Sequence, residues 1–544
     1  MGVFTDLLFA GGDGTQVHGK KRLNGYNLLM ILFVSIGSLC YGYTANVISA
    51  TLAQPTFITY FDLDTRSDAT ALLSATNGIF QTGGVIGTLT LAYWSDKFGR
   101  RGGLAISALL ILFSGAILAG SVHIGMFLAF RFFAGAGAFM ILAAVPIWMA
   151  EVCPPYLRGA LVQLHAVVLV LGYMSASYLG YGLFHWDAGG NMVWRIPFIV
   201  QCFWPLCLLV GLFWIPESRK SIHSQLTQLP LTSLLPARWL ILQGRLDEAK
   251  QILLRLHDDP SDPTHNFAQT EFLQIKRQLE VDKSLPTGWL HIFKKPSHRK
   301  RALITIGTTG FIQCSGILVI NNYGPLLYKQ LGFNTATQLL YAAAWLTFAL
   351  GLDLVACFLN DHYPRNKFMA IGVFGCMVVL SCEAGIVATY LGGTNKAALR
   401  AGVAFLFLIE VPYDFFLNGM QFIYISEVWP MHLRAKGMSL GVAMISLMNI
   451  VWLQSAPTAL ANIGWYYYLA FIIPGTIGSV IMWFYFPDTL GKPLEETAAL
   501  FGDRDEVVAY MQDIAIDEDD ASGSHSPGRV GEKENTAIEV EKVA

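Results

Sequence analysis

The chain of 544 residues is strongly apolar, with 54% hydrophobic and only 14% charged residues, where soluble domains carry about 25% charged residues. This composition excludes a disordered or fibrous chain and disfavours a soluble enzyme, so we expect no enzymatic activity. The net charge of −2 indicates no polyanion-binding surface and no nucleic-acid partner. The eight cysteines lie in apolar runs without metal-site spacing, so we expect neither a metal nor a cofactor.

Charge-poor segments long enough to cross a lipid bilayer, about 20 residues each, recur along the chain. Six precede a polar block at residues 217–301, and six follow it. The first six are residues 23–61, 69–95, 102–130, 132–150, 159–186 and 196–216. The second six are residues 302–328, 330–352, 368–391, 401–426 and two helices within 437–487. The sequence therefore predicts an all-α multi-pass membrane protein with twelve transmembrane helices in contact with the lipid bilayer.

Lysine and arginine are more frequent in the loops that face the cytosol if the N-terminus lies inside, as the positive-inside rule requires. We therefore expect both termini in the cytosol, and we expect a monomer in the plasma membrane. The predicted organisation is a tail at 1–26, a six-helix bundle at 27–216, a cytosolic linker with short helices at 217–300, a second bundle at 301–488 and an acidic, largely disordered tail at 489–544.

The two bundles repeat one another at their predicted cytosolic edges. The segment from Glu151 to Arg158 returns, with the same spacing, as Glu427 to Arg434, and two further motifs return in the same order: residues 96–101 as 361–366, and residues 216–218 as 487–489. This order indicates a duplicated unit with parallel topology, and such halves rock about a midplane site. We interpret the edge charges as ion pairs that close an inner gate; the alternative is that they set topology and cap helices.

These motifs, taken in order, resemble the sugar porter family of the major facilitator superfamily, of the fungal type, over about residues 25–500. The motifs include Gly99-Arg100-Arg101, Val145-Pro146, Pro216-Glu217-Ser218, Gln313-x-Ser315-Gly316 and Pro487-Asp488-Thr489. The resemblance implies the major facilitator fold and alternating-access transport of a hexose or related sugar or polyol. It also implies that the gate and ion-pair residues are Arg100, Arg131, Glu151, Arg158, Glu217, Arg365, Glu427 and Arg434.

One departure from the family pattern concerns proton coupling. In proton-coupled members an acid in the first span pairs with the arginine of span four, but Thr44 stands at the acid position here. Arg131 then lacks its usual counter-ion, and water or another polar group must serve it. The departure favours a facilitator over a proton symporter. The competing interpretation is proton coupling through Glu410 and Asp414, which lie four residues apart on one face of span ten and are close enough to share a proton; otherwise they form a structural pair.

A second departure concerns the sugar site, because Ala166, Leu318 and Ala349 stand where the resemblance implies amide side chains. The expected substrate-binding residues are Gln313, Asn449, Gln163, His165, Asn321, Asn322, Gln421 and Phe422. His165 either donates to a sugar hydroxyl or is a packed, hydrogen-bonded histidine. The altered set keeps open an importer or exporter of a different small metabolite. A non-transporting nutrient receptor is a third function class, disfavoured by the short acidic tail.

Residues 219–235 interrupt a motif that the family writes without a break. Their removal joins Pro216-Glu217-Ser218 to Pro236-Ala237-Arg238-Trp239-Leu240. We interpret the segment as a retained intron; the alternative is a genuine cytosolic loop, which costs little conformational entropy at this position.

Overall fold

The computed structural model describes residues 25–152, 158–212, 246–247, 250–251, 288–330, 333–360, 362–390, 396–430, 433–490 and 500–502. The regular structure in these ranges is helical throughout, because a backbone in lipid must satisfy its hydrogen bonds within each segment. Most of the predicted linker, the segment 219–235 and nearly all of the acidic tail lie outside the described residues, so the predicted boundaries of these regions stay predictions.

The N-terminal half consists of long helices that cross the bundle and a few short ones at its ends. In chain order these are α1 (Gly25–Val34), α2 (Ile36–Leu52), α3 (Pro55–Tyr60), α4 (Ala69–Ala119), α5 (Ile124–Val152), α6 (Arg158–Phe184), α7 (Met192–Gln201) and α8 (Phe203–Leu212). A 3-10 turn at Asp187–Gly189 precedes α7. Helices α1 and α2 together form the first span, and α7 and α8 form the sixth.

The C-terminal half follows the same plan. Its helices are α9 (Trp289–Lys294), α10 (Pro296–Gln313), α11 (Ile317–Gln330), α12 (Thr335–Leu359), α13 (Arg365–Tyr390), α14 (Lys396–Leu408), α15 (Glu410–Phe416), α16 (Met420–Val428), α17 (Arg434–Asn462) and α18 (Leu469–Tyr485). A 3-10 turn at Gly464–Tyr468 joins the last two. Gly316, at φ +70°, separates α10 from α11 within the seventh span, a backbone conformation that glycine adopts without steric cost.

Eleven segments of the described chain are long and apolar enough to cross a membrane. The predicted second span, residues 69–95, forms the first part of α4, which runs on through the third span. Gly99, with φ 79° and ψ 174°, interrupts the helical backbone of α4 between the two spans. The interruption lets the chain reverse direction at the Gly99-Arg100-Arg101 motif, so that α4 contributes two spans. With this reversal counted, the predicted twelve-span arrangement is confirmed in its main features.

The two ends of the bundle are defined by where the chain reverses. The reversal at Gly99 lies at one end, here called the inner end, which the sequence predicts to be cytosolic. The helix ends at Val152, Arg158, Leu359, Arg365, Val428 and Arg434 lie at this end as well. The reversals near 53–68, 120–123, 185–191 and 463–464 lie at the outer end. The halves meet mainly where α4 packs on α17 and where α6 packs on α12, with α2 touching α11 as well.

Candidate functional site

A cavity lies between the two halves, midway along the spans, and is lined by residues of both. Its described lining comes from α2, α5 and α6 on one side and from α10, α11, α12, α15, α16 and α17 on the other. The aromatic lining residues are Tyr41, Tyr173, Trp345, Tyr413 and Phe422, and the amide lining residues are Gln313, Asn321, Asn418 and Gln421. Rings and amides together suit a molecule with polar edges and apolar faces.

Four of the eight expected substrate-binding residues line this cavity: Gln313, Asn321, Gln421 and Phe422. Gln421 donates from Nε2 to the Asn418 carbonyl at 3.1 Å, while its buried Oε1 has no hydrogen-bond partner in the described chain. That oxygen is available to accept a hydrogen bond from a ligand, and leaving it unmade is costly in a buried site. Leu318 and Ala349, where the resemblance implies amides, also line the cavity and reduce its polarity.

The other four expected residues lie outside the lining. Asn322 donates to the Leu318 carbonyl at 2.9 Å along its own helix, and Asn449 is buried in α17 with its Nδ2 unpartnered among the described residues. His165 is fully buried; its Nδ1 lies 2.6 Å from Ser38 Oγ, and its ring meets Phe422 edge-on at 5.1 Å. His165 therefore supports a cavity wall without facing the cavity itself.

Gln163, the fourth, joins the two halves. From α6 in the N-terminal half, its Nε2 donates to Asp353 Oδ1 at 3.2 Å, and its Oε1 accepts from Asn360 Nδ2 at 2.7 Å. Both partners belong to the C-terminal half, at or near the end of α12. Gly419 passes so close to Gln163 that a Cβ at that position would overlap the amide. We call Gln163, Asp353, Asn360 and Gly419 the inner latch, because they connect the halves between the cavity and the inner end.

Asp353 is a buried acid beside the candidate site that the sequence analysis did not name. The predicted charge-free span ends at residue 352, whereas α12 continues to Leu359 and Asp353 is fully buried. Its Oδ2 accepts from Asn418 Nδ2 at 2.8 Å. The repeated motif at residues 361–366 could have indicated this, because the eighth span is expected to extend almost to residue 361, where the motif begins.

Glu410 and Asp414 both line the cavity. They lie four residues apart on α15, and Asp414 Oδ2 is buried without a hydrogen-bond partner among the described residues. Two buried carboxyl groups one helical turn apart disfavour the doubly charged state. Glu383 in span nine is also buried, but it is absent from the cavity lining and lies beside Gly402 of α14.

Arg131 is fully buried in α5. Its Nη1 lies 3.4 Å from the Thr44 carbonyl oxygen, and its guanidinium carbon lies 4.3 Å from the centre of the Phe80 ring, within the range of a cation–π contact. Its Nε and Nη2, and Thr44 Oγ1, have no hydrogen-bond partner among the described residues. A carbonyl and a ring thus contact Arg131 where the resemblance implies an acid.

The inner end of the C-terminal half carries a charged cluster. Arg365 Nη2 lies 3.5 Å from Glu427 Oε1, and Thr489 Oγ1 donates to Glu427 Oε2 at 2.7 Å. The Arg365 backbone N–H donates to Asp488 Oδ1 at 2.9 Å, and its side chain bonds the Asn360 carbonyl. The repeated Pro487-Asp488-Thr489 motif therefore holds the partners of the predicted gate residues Arg365 and Glu427.

The remaining expected gate residues are only partly described. Arg100 Nη1 donates to Ser95 Oγ at 2.7 Å, and Arg434 is buried at the start of α17. The side chains of Glu151 and Arg158, and the whole of Glu217, lie outside the described residues. The gate pairing between the two halves accordingly stays a prediction.

The outer end also has direct contacts between the halves. Asn77 Nδ2 of α4 donates to Tyr323 OH at 3.2 Å, and Tyr323 OH donates to the Leu453 carbonyl at 3.0 Å. Ser49 Oγ of α2 donates to the Asn321 carbonyl at 3.1 Å. Hydrogen bonds between the halves therefore lie toward both ends of the bundle, with the cavity between them.

Comparison with known proteins identifies what this architecture resembles. A family model described as "Sugar (and other) transporter" matches residues 30–501. An MFS-type transporter of Aspergillus cristatus is 26% identical over 474 residues, covering 87% of this chain and 92% of that protein. The high-affinity glucose transporter of Kluyveromyces lactis is 26% identical over 506 residues, covering 89% and 87%. The solved structure of a proton:xylose symporter bound to 6-bromo-6-deoxy-D-glucose matches with a TM-score of 0.73 at 22% identity, covering 88% and 99%, and confirms the predicted fold.

Proposed function

Because the chain belongs to the sugar (and other) transporter family, as its motifs predict, we propose that it carries a hexose or a related sugar or polyol across a membrane by alternating access. The chain is a multi-pass membrane transporter with the major facilitator fold. Its two halves rock about the central cavity, so that a molecule bound there meets one side of the membrane at a time. We also propose that the protein works as a monomer in the plasma membrane, with both termini in the cytosol.

The cavity lining is the observation that carries this proposal. A sugar loses hydrating water from each hydroxyl on entry, so its site must offer aligned donors and acceptors. Gln313, Asn321, Asn418 and Gln421 supply them, and Phe422 and Trp345 supply rings for the apolar faces of the sugar. The described lining contains no lysine or arginine and includes two acids, which favours a neutral substrate over an organic anion.

Uptake of radiolabelled substrates into cells lacking their own hexose carriers tests the proposal. We expect uptake of at least one of D-glucose, D-xylose, D-mannitol and myo-inositol, with competition by unlabelled compound. Gln313→Ala should weaken uptake mainly through KM, because an amide that binds the ground state is lost. Ser381→Ala, on α13 and outside the described lining, is the control. A correctly localised protein that moves none of these compounds would contradict the proposal.

A second candidate function is transport of a different, less hydroxylated metabolite on the same scaffold. Leu318 and Ala349 line the cavity at positions where amides are implied, and this observation favours it. Uptake of a panel of radiolabelled neutral small metabolites in the same cells separates the two: uptake of a non-sugar without uptake of any sugar or polyol supports the second candidate.

Facilitated diffusion is the mode of transport that the sequence predicts, because Thr44 replaces the acid of proton-coupled relatives. Proton symport is the alternative, and the position of Glu410 and Asp414 in the cavity wall supports it. A protonophore separates the two modes: a facilitator equilibrates labelled substrate with or without it, whereas a symporter loses accumulation above the external concentration.

A further inference from the structure

We infer that the cavity takes a polyhydroxylated molecule that carries a protonated amine, an amino sugar or an amino polyol, and that the carboxyl groups of Glu410 and Asp414 bind its ammonium group. The inference rests on the proposed transport function and narrows its class of substrate. A neutral sugar of similar size is then a weaker ligand, because it lacks the positive charge that would balance the two acids.

The charge of the cavity wall is unbalanced. Glu410 and Asp414 line the cavity and are only 2% and 3% exposed, while the described lining contains no lysine, arginine or histidine. Because two carboxyl groups one helical turn apart on α15 disfavour the doubly charged state, the pair carries about one negative charge. A buried carboxylate without a cation is costly. A ligand with a single positive charge supplies the missing partner.

Two unpartnered acceptor atoms in the same wall indicate a ligand that donates hydrogen bonds. Asp414 Oδ2 and Gln421 Oε1 are buried, and neither has a hydrogen-bond partner in the described chain. Both residues line the cavity, and both are 3% exposed. A buried acceptor left without a donor is costly. An ammonium group brings three N–H donors and no acceptor, so it matches this pair of atoms.

Three donor groups of the wall are already engaged within the protein. Asn418 Nδ2 donates to Asp353 Oδ2 at 2.8 Å, and Gln421 Nε2 donates to the Asn418 carbonyl at 3.1 Å. Trp345 Nε1 donates to the Leu406 carbonyl at 2.8 Å. None of these groups can serve an acceptor atom of a ligand without giving up its present bond. This part of the wall therefore offers acceptors rather than donors.

Aromatic rings and two further amides complete the fit to an amino sugar. Trp345, Tyr413 and Phe422 line the cavity, and an aromatic face attracts a cation that lies within about 6 Å of its centre. Gln313 on α10 and Asn321 on α11 also line the cavity, and they supply amides for the hydroxyl groups. The carboxyl contacts of the ammonium group thus belong to span ten, and the amide contacts of the hydroxyl groups belong to span seven.

The test compares two sugars that differ at one substituent, D-glucosamine and D-glucose, on the purified full-length protein in detergent. Scintillation proximity binding is measured with each radiolabelled sugar, in a mildly acidic buffer that keeps the amine protonated. We expect D-glucosamine to bind at least about tenfold more tightly than D-glucose, because a charge-assisted hydrogen bond replaces a neutral one. N-acetyl-D-glucosamine, whose amide carries no charge, should not show this gain.

Asp414→Asn tests the carboxyl group, because the amide keeps the size of the side chain and removes its charge. We expect this variant to lose the preference for D-glucosamine and still to bind D-glucose, which shows that it is folded. Glu410→Gln should reduce the preference as well, and it decides the matter if Asp414→Asn binds neither sugar. Glu383→Gln, a buried acid outside the cavity lining, is the matched control and should keep the preference of the wild type.

A wild type that binds D-glucose at least as tightly as D-glucosamine would overturn the inference, and transport of a neutral sugar would then stand. A preference that persists in both Asp414→Asn and Glu410→Gln would overturn it too, because the charge of the pair would then contribute nothing; so would a wild type that binds neither sugar. If proteoliposomes take up D-glucosamine but no neutral sugar or polyol, the inference holds and the neutral-sugar part of the proposed function fails.

Discussion

Replacing Gly419 by alanine tests whether the inner latch holds the two halves together. A Cβ at this position would overlap the side-chain oxygen of Gln163, so the amide must leave its place. The backbone of Gly419 is helical, at φ −84° and ψ −31°, and accepts alanine without strain. The three atoms nearest to the added Cβ all belong to Gln163, so the cost of the substitution falls on the contacts of Gln163 across the interface.

The magnitude follows from the two hydrogen bonds that Gln163 gives up, one to Asp353 and one from Asn360. Each contributes about 1 kcal/mol net, so the closed inner end loses about 2 kcal/mol, which is a roughly thirtyfold shift toward the open inner end. The open form has already broken both bonds and is not penalised.

Spin labels at Phe98 and Tyr363, two exposed residues near the inner end of the two halves, report the opening by pulsed electron paramagnetic resonance. We expect a larger long-distance population in Gly419→Ala than in the parent. Gly351→Ala on α12 is the matched control, since a Cβ there meets no atom within 4 Å. Equal long-distance populations in the two alanine variants would show that the latch does not hold the halves closed.

Three further substitutions probe other contacts. Gly135→Ala should destabilise the fold by about 1–3 kcal/mol, because the Cβ would overlap the backbone carbonyl of Phe80; thermal unfolding in detergent measures this. Thr44→Asp should stabilise the protein by about 1–3 kcal/mol, because it supplies the buried Arg131 guanidinium with a charged hydrogen-bond acceptor, and the same assay applies. Glu427→Gln should slow initial uptake several-fold by removing the ion pair at the inner end of the C-terminal half.

Each of these has a control in the same chain. Gly125→Ala adds a Cβ that meets nothing within 4 Å and should leave stability unchanged. Thr88→Asp buries an acid at another fully buried threonine of the N-terminal half and should destabilise, so equal effects at Thr44 and Thr88 would refute the role given to Arg131. For Glu427→Gln, unchanged transport kinetics together with unchanged labelling of the inner end would refute the gate assignment.

The transmembrane spans were predictable because a backbone in lipid must satisfy its hydrogen bonds within its own segment. A long charge-free run therefore forms a helix. The reversal within α4 was predicted too, because charged residues separate the runs at 69–95 and 102–130, although Gly99 alone interrupts the helix there. The breaks at Gly316 and near Asn418 within predicted single spans were missed. Their positions depend on how neighbouring helices pack, and hydropathy carries no information about that.

Residue type alone was not enough to predict which side chains line the cavity. Gln313 and Gln163 have the same side chain, yet one faces the cavity and the other binds two residues of the opposite half. Their roles are set by partners far away in sequence, such as Asn360. Asp353 was not named because it lies one residue beyond a charge-free run and its partners are far away in sequence.

The ionisable groups buried within the spans have an electrical consequence. Arg131 is held in the N-terminal half, while Asp353, Glu410 and Asp414 belong to the C-terminal half. When the halves tilt, these groups change depth in the transmembrane field, where each elementary charge moved across the whole field is worth about 2.3 kcal/mol per 100 mV. Turnover should therefore respond to voltage even with a neutral cargo, and capacitive currents should accompany the conformational cycle.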